Sequence, residues 1–383
     1  MSSFPLSSRE RVLFALRRQP VDYLPCAPNF NPLTEVQRRG YRWVFPWGPS
    51  QREEMAYLKH ELGLDPVVTL PLGGYYPDPR VCARVWTDGD IIHKAYDTPA
   101  GVLRAAVRDD GRWPFGLDIP FHHDFLGHYV EPWITSEQDV ACLAYLYLPP
   151  RTEDQLAAIR YNVTATKRIA EELGLATRAW LGMGLTHAQQ LWTPEPLCYA
   201  VADTPELVHA FLDIEHRLSM AWIEVAVAAG ADIILRNGFY ESCDLYSPAM
   251  LEAFLGARLR AEFALARQGG AAACYLVHTG ITPMLDYLAA LEFDCLTYPD
   301  IAFRGNDLHA MQAKLGDRKS FWAGPSNTFH MWADDPATVR QAVRDTAAAF
   351  GKTGLLLAAC PSVHPITPWE NFLAMVEEWR AVR

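Results

Sequence analysis

Residues 247–278 read SPAMLEAFLGARLRAEFALARQGGAAACYLVH. Ser247 offers a side-chain oxygen to a free backbone N–H, and Pro248 fills the first helical position, where its missing N–H is not needed. Leu251, Phe254, Leu255, Leu259 and Phe263 then recur three and four apart, the period of a helix with one buried face. Gly269-Gly270 stops it. A short apolar run, Ala273–Val277, follows as a strand and ends at His278. One helix, one strand and one reactive side chain at the strand's C-terminal end form the unit from which the fold can be read.

The unit recurs through the second half of the chain. Strand-like runs occur at Ala179–Met183, Asp232–Leu235, Cys295–Tyr298, Ser320–Ala323 and Leu355–Ala359. Helical periodicity joins Leu207, Phe211, Leu218, Trp222 and Val225, then Val339, Val343 and Phe350, then Phe372, Met375, Val376 and Trp379. Thr204-Pro205, Thr282-Pro283, Asp335-Pro336 and Thr367-Pro368 repeat the cap-then-proline start. Repeated βα units with short connections imply a parallel sheet buried on both faces. No GxGxxG follows an early strand, so a closed (β/α)8 TIM barrel is expected rather than a doubly wound sheet. Ser7-Ser8-Arg9-Glu10 reads as a capping box opening an N-terminal helix through Leu16. Residues 83–107 alternate polar and apolar around Asp88-Gly89 and Thr98-Pro99-Ala100-Gly101, which predicts an antiparallel hairpin inserted into a single barrel domain spanning 1–383.

Composition sets outer bounds. Half of the 383 residues are apolar and 21% are charged, a globular balance. The formal net charge of −11 argues against nonspecific binding to nucleic acid or an anionic membrane. No apolar stretch is long enough to span a bilayer. The eight cysteines are scattered without CxxC spacing, which speaks against a disulfide framework. The expectation is a soluble, cytoplasmic protein.

In a barrel, reactive side chains gather where strands end. Reading past each expected strand gives His187, Asn237 and Glu241, His278, Asp300, Ser326 and Asn327, and Cys360 with His364. Imidazole, thiolate and carboxylate at one rim suit a three-ligand zinc site with an open fourth position. Singly, each has a plainer reading: a structural histidine, a small buried cysteine, a helix-capping aspartate, a solvated glutamate. His122-His123-Asp124 could bind a metal, but adjacent loop residues seldom converge on one ion. The twelve tryptophans are read mainly as packing, with Trp192 and Tyr240 near the rim as candidates to stack on a flat substrate.

Ser8-Arg9-Glu10-Arg11-Val12 with Ala15-Leu16-Arg17-Arg18, followed by Pro20-Val21-Asp22 and Pro25, resembles the opening of the uroporphyrinogen decarboxylase superfamily. Thr98-Pro99-Ala100-Gly101, Ser247-Pro248, His278-Thr279-Gly280 and Cys360 with Thr367-Pro368-Trp369-Glu370-Asn371 continue it over nearly the whole chain. The resemblance implies a (β/α)8 barrel. It also implies either of two activities, decarboxylation or cobalamin-dependent methyl transfer. The decarboxylases carry an Arg-Gln-Ala-Gly-Arg-Tyr stretch after the first strand, whose arginines hold a substrate with eight carboxylates. Here Pro25-Cys26-Ala27-Pro28-Asn29-Phe30-Asn31-Pro32 stands in its place, with no arginine until Arg38.

The methyltransferases carry His-x-Cys after one strand and a second cysteine after the last. His278 and Cys360 match, while Gly280 stands where the first cysteine belongs. The resemblance therefore implies zinc on His278, Cys360 and Glu241, with Cys243 competing for the third place. Such a site would favour neutral donors or released phenolates over carboxylates. Asp300 and His364 are the candidate proton donors; Trp192, Tyr240 and Asn237 are the candidate substrate contacts. The leading expectation is a zinc-dependent methyltransferase of O-demethylation type, moving a methyl group between a small methylated compound and a corrinoid protein. The chain itself has no Asp-x-His-x-x-Gly corrinoid motif, so cobalamin is expected on that partner. A decarboxylase and a non-catalytic corrinoid or tetrapyrrole binder are the alternatives. The resemblance leaves monomer and homodimer both open.

Overall fold

The computed structural model describes residues 5–31, 50–364 and 366–383. Pro32 and Arg38 of the first-strand stretch lie outside them. The chain divides into two compact units: one comprises Met1–Leu72, Ala157–Leu181 and Ile223–Arg383, the other Gly73–Leu156 and Gly182–Trp222.

The described strands, in chain order, are β1 (Val68–Thr69), β2 (Cys82–Asp88), β3 (Ile91–Thr98), β4 (Gly101–Arg108), β5 (Tyr129–Glu131), β6 (Thr177–Leu181), β7 (Ile233–Asn237), β8 (Ala272–Leu276), β9 (Cys295–Asp300), β10 (Ser320–Gly324) and β11 (Leu355–Leu357). The first unit holds a seven-stranded parallel sheet in the order β1-β6-β7-β8-β9-β10-β11. Pro25–Ala27 takes the eighth position. Ala27 N–H donates to Leu357 O at 2.8 Å and Leu357 N–H to Pro25 O at 2.9 Å, while Asp65 N–H, just ahead of β1, donates to Cys26 O at 2.8 Å. These bonds link the last strand to the first, and the sheet curls into the expected (β/α)8-type barrel. Its interior is the inward half of each strand. Ile233 and Leu235, Ala272, Cys274 and Leu276, and Leu356 and Ala358 are two apart and share one buried cluster with Tyr298, Trp322 and Cys360.

Helix starts follow the sequence rules where the cap can reach. Ser7 and Glu10 form the capping box ahead of Ser8–Leu16. Ser247 Oγ accepts from Met250 N–H, and Asp335 from Ala337 N–H. Two expected caps are corrected. Thr282 hydroxyl accepts from Asp307 N–H at 2.8 Å instead of capping its own turn, and the helix after Thr367 starts at Trp369 with no side-chain cap. The Thr282 hydroxyl is taken by an N–H from a neighbouring loop, and at the second start Pro368 stands in the capping position and has no side-chain oxygen to offer.

In the second unit, the expected hairpin is a larger structure: a four-stranded antiparallel sheet, β2-β3-β4-β5. Thr98-Pro99-Ala100-Gly101 turns the chain into a third strand, with Thr98 Oγ1 donating to Gly101 O at 2.9 Å. Alternation alone did not say how many times the strand would be paired. Phe121 and Trp133 pack at 4.5 Å in this unit's core. No helix among the described residues is long and apolar enough to cross a membrane, and all eight cysteines are free thiols.

Candidate active site

The barrel brings three strand ends together through hydrogen bonds. His278 follows β8, and its Nδ1 lies 2.7 Å from Tyr298 O on β9. A carbonyl only accepts, so Nδ1 carries the proton and Nε2 presents a lone pair. Burial holds the imidazole below its ordinary pKa, with Tyr298 and Asp300 partly opposing the shift. The ring stacks on Phe239 at 4.6 Å and 22°.

His278 Nε2 lies 3.7 Å from Asp300 Oδ2. That oxygen accepts the Ser326 hydroxyl at 2.9 Å, and Oδ1 accepts Ala302 N–H at 2.9 Å. Asp300 is therefore the last residue of a strand, oriented by two donors, rather than a helix cap. Ser326 N–H in turn donates to His330 Nδ1 at 3.0 Å. Asn306 Nδ2 donates to both His278 O and Asp300 O, at 2.9 and 2.8 Å, tying the two loops together. Tyr298 adopts φ 57°, and the register of β9 against β10 shifts beside it. For a non-glycine residue that conformation costs roughly 1–3 kcal/mol, and such residues cluster at functional sites.

Asn306, His330 and Tyr298 carry no sequence signal of this role. Their importance comes from whom they touch. Ser326 and Asn327 were legible as residues following a strand. The Asn327 carboxamide is buried without a partner for either polar atom.

The expected zinc ligands do not form such a site. Glu241 is fully buried, and its two oxygens accept from Arg236 Nη2 at 3.0 Å and Tyr275 hydroxyl at 2.7 Å. Arg236 is also bonded to Glu262 at 2.9 Å. The carboxylate belongs to an internal charge network, and this corrects its reading as a ligand. Cys360 has a buried thiol pushed well above its ordinary pKa by desolvation, with Sγ donating to Ala358 O at 3.6 Å. Cys243 is also shifted up by burial. Among the described residues no group of three or more His, Cys, Asp or Glu side chains could hold a metal ion. Gly280 has a reason of its own: φ is +61°, and an added Cβ would lie 2.7 Å from Asp244 N. A cysteine at this position, which the resemblance to the methyltransferases would imply, meets both obstacles.

The remaining expected site residues separate. His364, expected as a proton donor, has both nitrogens engaged, Nδ1 donating to Asn31 O at 3.1 Å and Nε2 meeting the Ser362 hydroxyl at 3.2 Å. Asn237 Oδ1 accepts Phe239 N–H at 3.1 Å and shapes the loop that brings Phe239 to His278. Tyr240 packs edge-on against Phe239 at 4.9 Å. Trp192 belongs to the second unit, where it is buried against Phe211 at 5.2 Å; this corrects its reading as a substrate-stacking ring. His187, also in that unit, lies between Tyr147 hydroxyl at 2.8 Å and Glu215 at 2.9 Å. In the His122-His123-Asp124 run, His122 and Asp124 both meet Gln190 while His123 meets Tyr129, so the three side chains do not converge.

The chain's likeness to known proteins agrees with this barrel. A methyltransferase from Methanosarcina mazei superposes with a TM-score of 0.61 at 19% identity, covering 98% of this chain and 99% of that one. At that identity the likeness speaks for the fold. A B12-independent methionine synthase from Shewanella sp. W3-18-1, in complex with selenomethionine, matches with a TM-score of 0.42 and 11% identity over 62% of this chain and 72% of the other. No curated protein shows significant sequence similarity to the chain. The profile of the uroporphyrinogen decarboxylase (URO-D) family, in contrast, matches residues 113–382, more than two thirds of the sequence and every strand end that builds the His278–Asp300 pair. The chain belongs to the uroporphyrinogen decarboxylase family.

Proposed function

We propose that this protein transfers a methyl group from a small methylated compound, a methyl ether or methylated amine, to a corrinoid carried by a partner protein. The observation that supports it best is the His278–Asp300–Ser326 arrangement at the strand ends, which can hold and deliver a proton at one nitrogen. The full-length likeness to a methyltransferase points the same way. So does the first-strand segment Pro25–Asn31, which has no arginine for an octa-anionic tetrapyrrole.

Breaking a methyl–oxygen or methyl–nitrogen bond leaves charge on the departing heteroatom. His278 takes up a proton from water at Nε2, where Asp300 stabilises the imidazolium, and passes it to that atom. Ser326 and Ala302 N–H keep the aspartate from turning away, and Phe239 fixes the plane of the ring. General-acid assistance of this kind contributes roughly 10²–10⁴-fold. The corrinoid supplies the nucleophile for the methyl carbon. Zinc has no role in this reading, because Glu241 is taken up by Arg236 and Tyr275 and no three candidate ligands converge among the described residues.

The test is a single-turnover assay with reduced cobalamin and a panel of methoxylated aromatics and methylated amines, following the methylcobalamin spectrum. Formation with at least one donor, lost in His278→Ala, is the expected result. No transfer from any donor, together with coproporphyrinogen formed from uroporphyrinogen III, overturns the proposal in favour of decarboxylation.

A further inference from the structure

Three arginines are buried among the described residues: Arg11, Arg178 and Arg236. A guanidinium cannot shed its proton, so one that is buried almost always has a counter-charge. Arg11 bonds Asp22 and Asp65, at 2.6 and 2.7 Å. Arg236 bonds Glu241 and Glu262. Arg178 on β6 is the exception. Its Nε donates to Thr69 Oγ1 at 2.9 Å, Nη1 to Tyr298 hydroxyl at 3.2 Å, and Nη2 to Asn29 Oδ1. All three acceptors are neutral. Three of its five N–H groups are thereby used, and no carboxylate among the described residues forms an ion pair with it.

The surroundings suit a flat anion. The guanidinium lies 5.2 Å from the Trp180 ring centre and 5.8 Å from that of Trp322. Asn29, Thr69 and Trp180 are each partly exposed, so the niche is not sealed among the described residues. Glu54 feels the charge of Arg178 without forming an ion pair with it, and burial pushes its carboxyl up to about 7, so it is only partly ionised at neutral pH. Tyr298 accepts from Arg178 through its hydroxyl and from His278 through its carbonyl. One residue therefore connects the unpaired cation to the proposed proton carrier.

We propose that Arg178, with Asn29 and Thr69, holds the carboxylate of a small planar substrate between Trp180 and Trp322. The inference rests on the proposed small-molecule substrate and narrows it to carboxylate-bearing compounds. It reverses the preference for neutral donors that a zinc site would have imposed. A guanidinium fork matches a carboxylate in geometry and charge, and the low dielectric strengthens the pairing.

The experiment measures binding alone, with no methyl acceptor, so a failure of methyl transfer would leave its outcome intact. Full-length protein is titrated with benzoate, its neutral counterpart benzamide, and inorganic phosphate by calorimetry and tryptophan fluorescence. Benzoate is expected to bind about 10- to 100-fold more tightly than benzamide, to quench tryptophan emission, and to outcompete phosphate. Arg178→Gln is expected to remove that advantage and Arg178→Lys to keep part of it. Should Arg178→Gln fail to fold, the wild-type benzoate-to-benzamide ratio and a Trp180→Leu variant with weakened benzoate binding decide the matter. Equal affinities for acid and amide, no binding of benzoate, preference for phosphate, or a folded Arg178→Gln that binds benzoate as wild type does would each overturn the assignment.

Discussion

Replacing Glu241 separates a ligand from a buried counter-ion. Its carboxylate is fully buried and accepts from Arg236 and Tyr275, with Arg236 held on its other side by Glu262. Glu241→Ala leaves a buried guanidinium with one carboxylate in place of two and the Tyr275 hydroxyl without its acceptor. Removing one partner of a buried pair costs about 3–5 kcal/mol. Glu241→Gln keeps the volume and one acceptor and should cost about 1–3 kcal/mol, the loss expected from one weakened charged hydrogen bond. At roughly 2–4 °C per kcal/mol for a unit of this size, the alanine variant should melt roughly 6–20 °C below wild type, with glutamine between. Calorimetric melting of wild type and both variants, each with and without EDTA, is the assay. An alanine variant melting within about 1 °C of wild type would refute the counter-ion reading. A wild-type protein destabilised by EDTA to the level of the variant would restore Glu241 as a metal ligand.

Four further outcomes are expected. Gly280→Cys should lower the melting temperature by several degrees and add no zinc by elemental analysis, because φ of +61° and the 2.7 Å approach to Asp244 N oppose any side chain, with the backbone contribution alone about 1–2 kcal/mol. Asp300→Asn should fold normally and slow methyl transfer by roughly 10²–10⁴-fold in the single-turnover assay; an unchanged rate would remove the pair from the mechanism. Burial holds His123 down to about 4, with Nδ1 accepting Phe125 N–H. Between pH 6.5 and 4 the unfolded chain binds a proton there that the folded chain does not, so stability falls as pH falls through that window, by about 1.4 kcal/mol for each pH unit crossed. His123→Gln should flatten the urea midpoint against pH, and an identical slope would contradict the assignment. Ser247→Ala should cost about 1 kcal/mol through the lost cap, read from the same denaturation curves.

The barrel was legible because its information is local. Ser247-Pro248, the apolar residues of the following helix, Gly269-Gly270 and Ala273–Val277 each declare themselves within a few residues, and the helices and strand stand where that pattern puts them. Boundaries moved by one or two residues, as at β6, since hydrogen bonding to neighbouring strands sets the ends. The inserted sheet was underestimated because pairing is a property of partners, and an alternating strand looks the same with one neighbour or two. His278 and Asp300 were visible as residues following strands. Their pairing was not, since it depends on where β8 and β9 bring their ends.

The sequence by itself determined the fold class, the order of the βα units and the rim on which chemistry would gather, through periodicity, capping and glycine stops that act over a single turn or strand. Only the tertiary structure decided which rim residues remain available. Glu241 looked like a free carboxylate but is consumed by Arg236 and Tyr275, and His364 has both nitrogens occupied. Arg178 looked like an ordinary strand residue but is a buried cation whose side-chain hydrogen bonds, among the described residues, all go to neutral acceptors. Partners 120 residues apart, such as Arg178 and Tyr298, leave no mark on local sequence, and desolvation, which fixes protonation state and the need for a counter-charge, exists only once the chain has closed around the group.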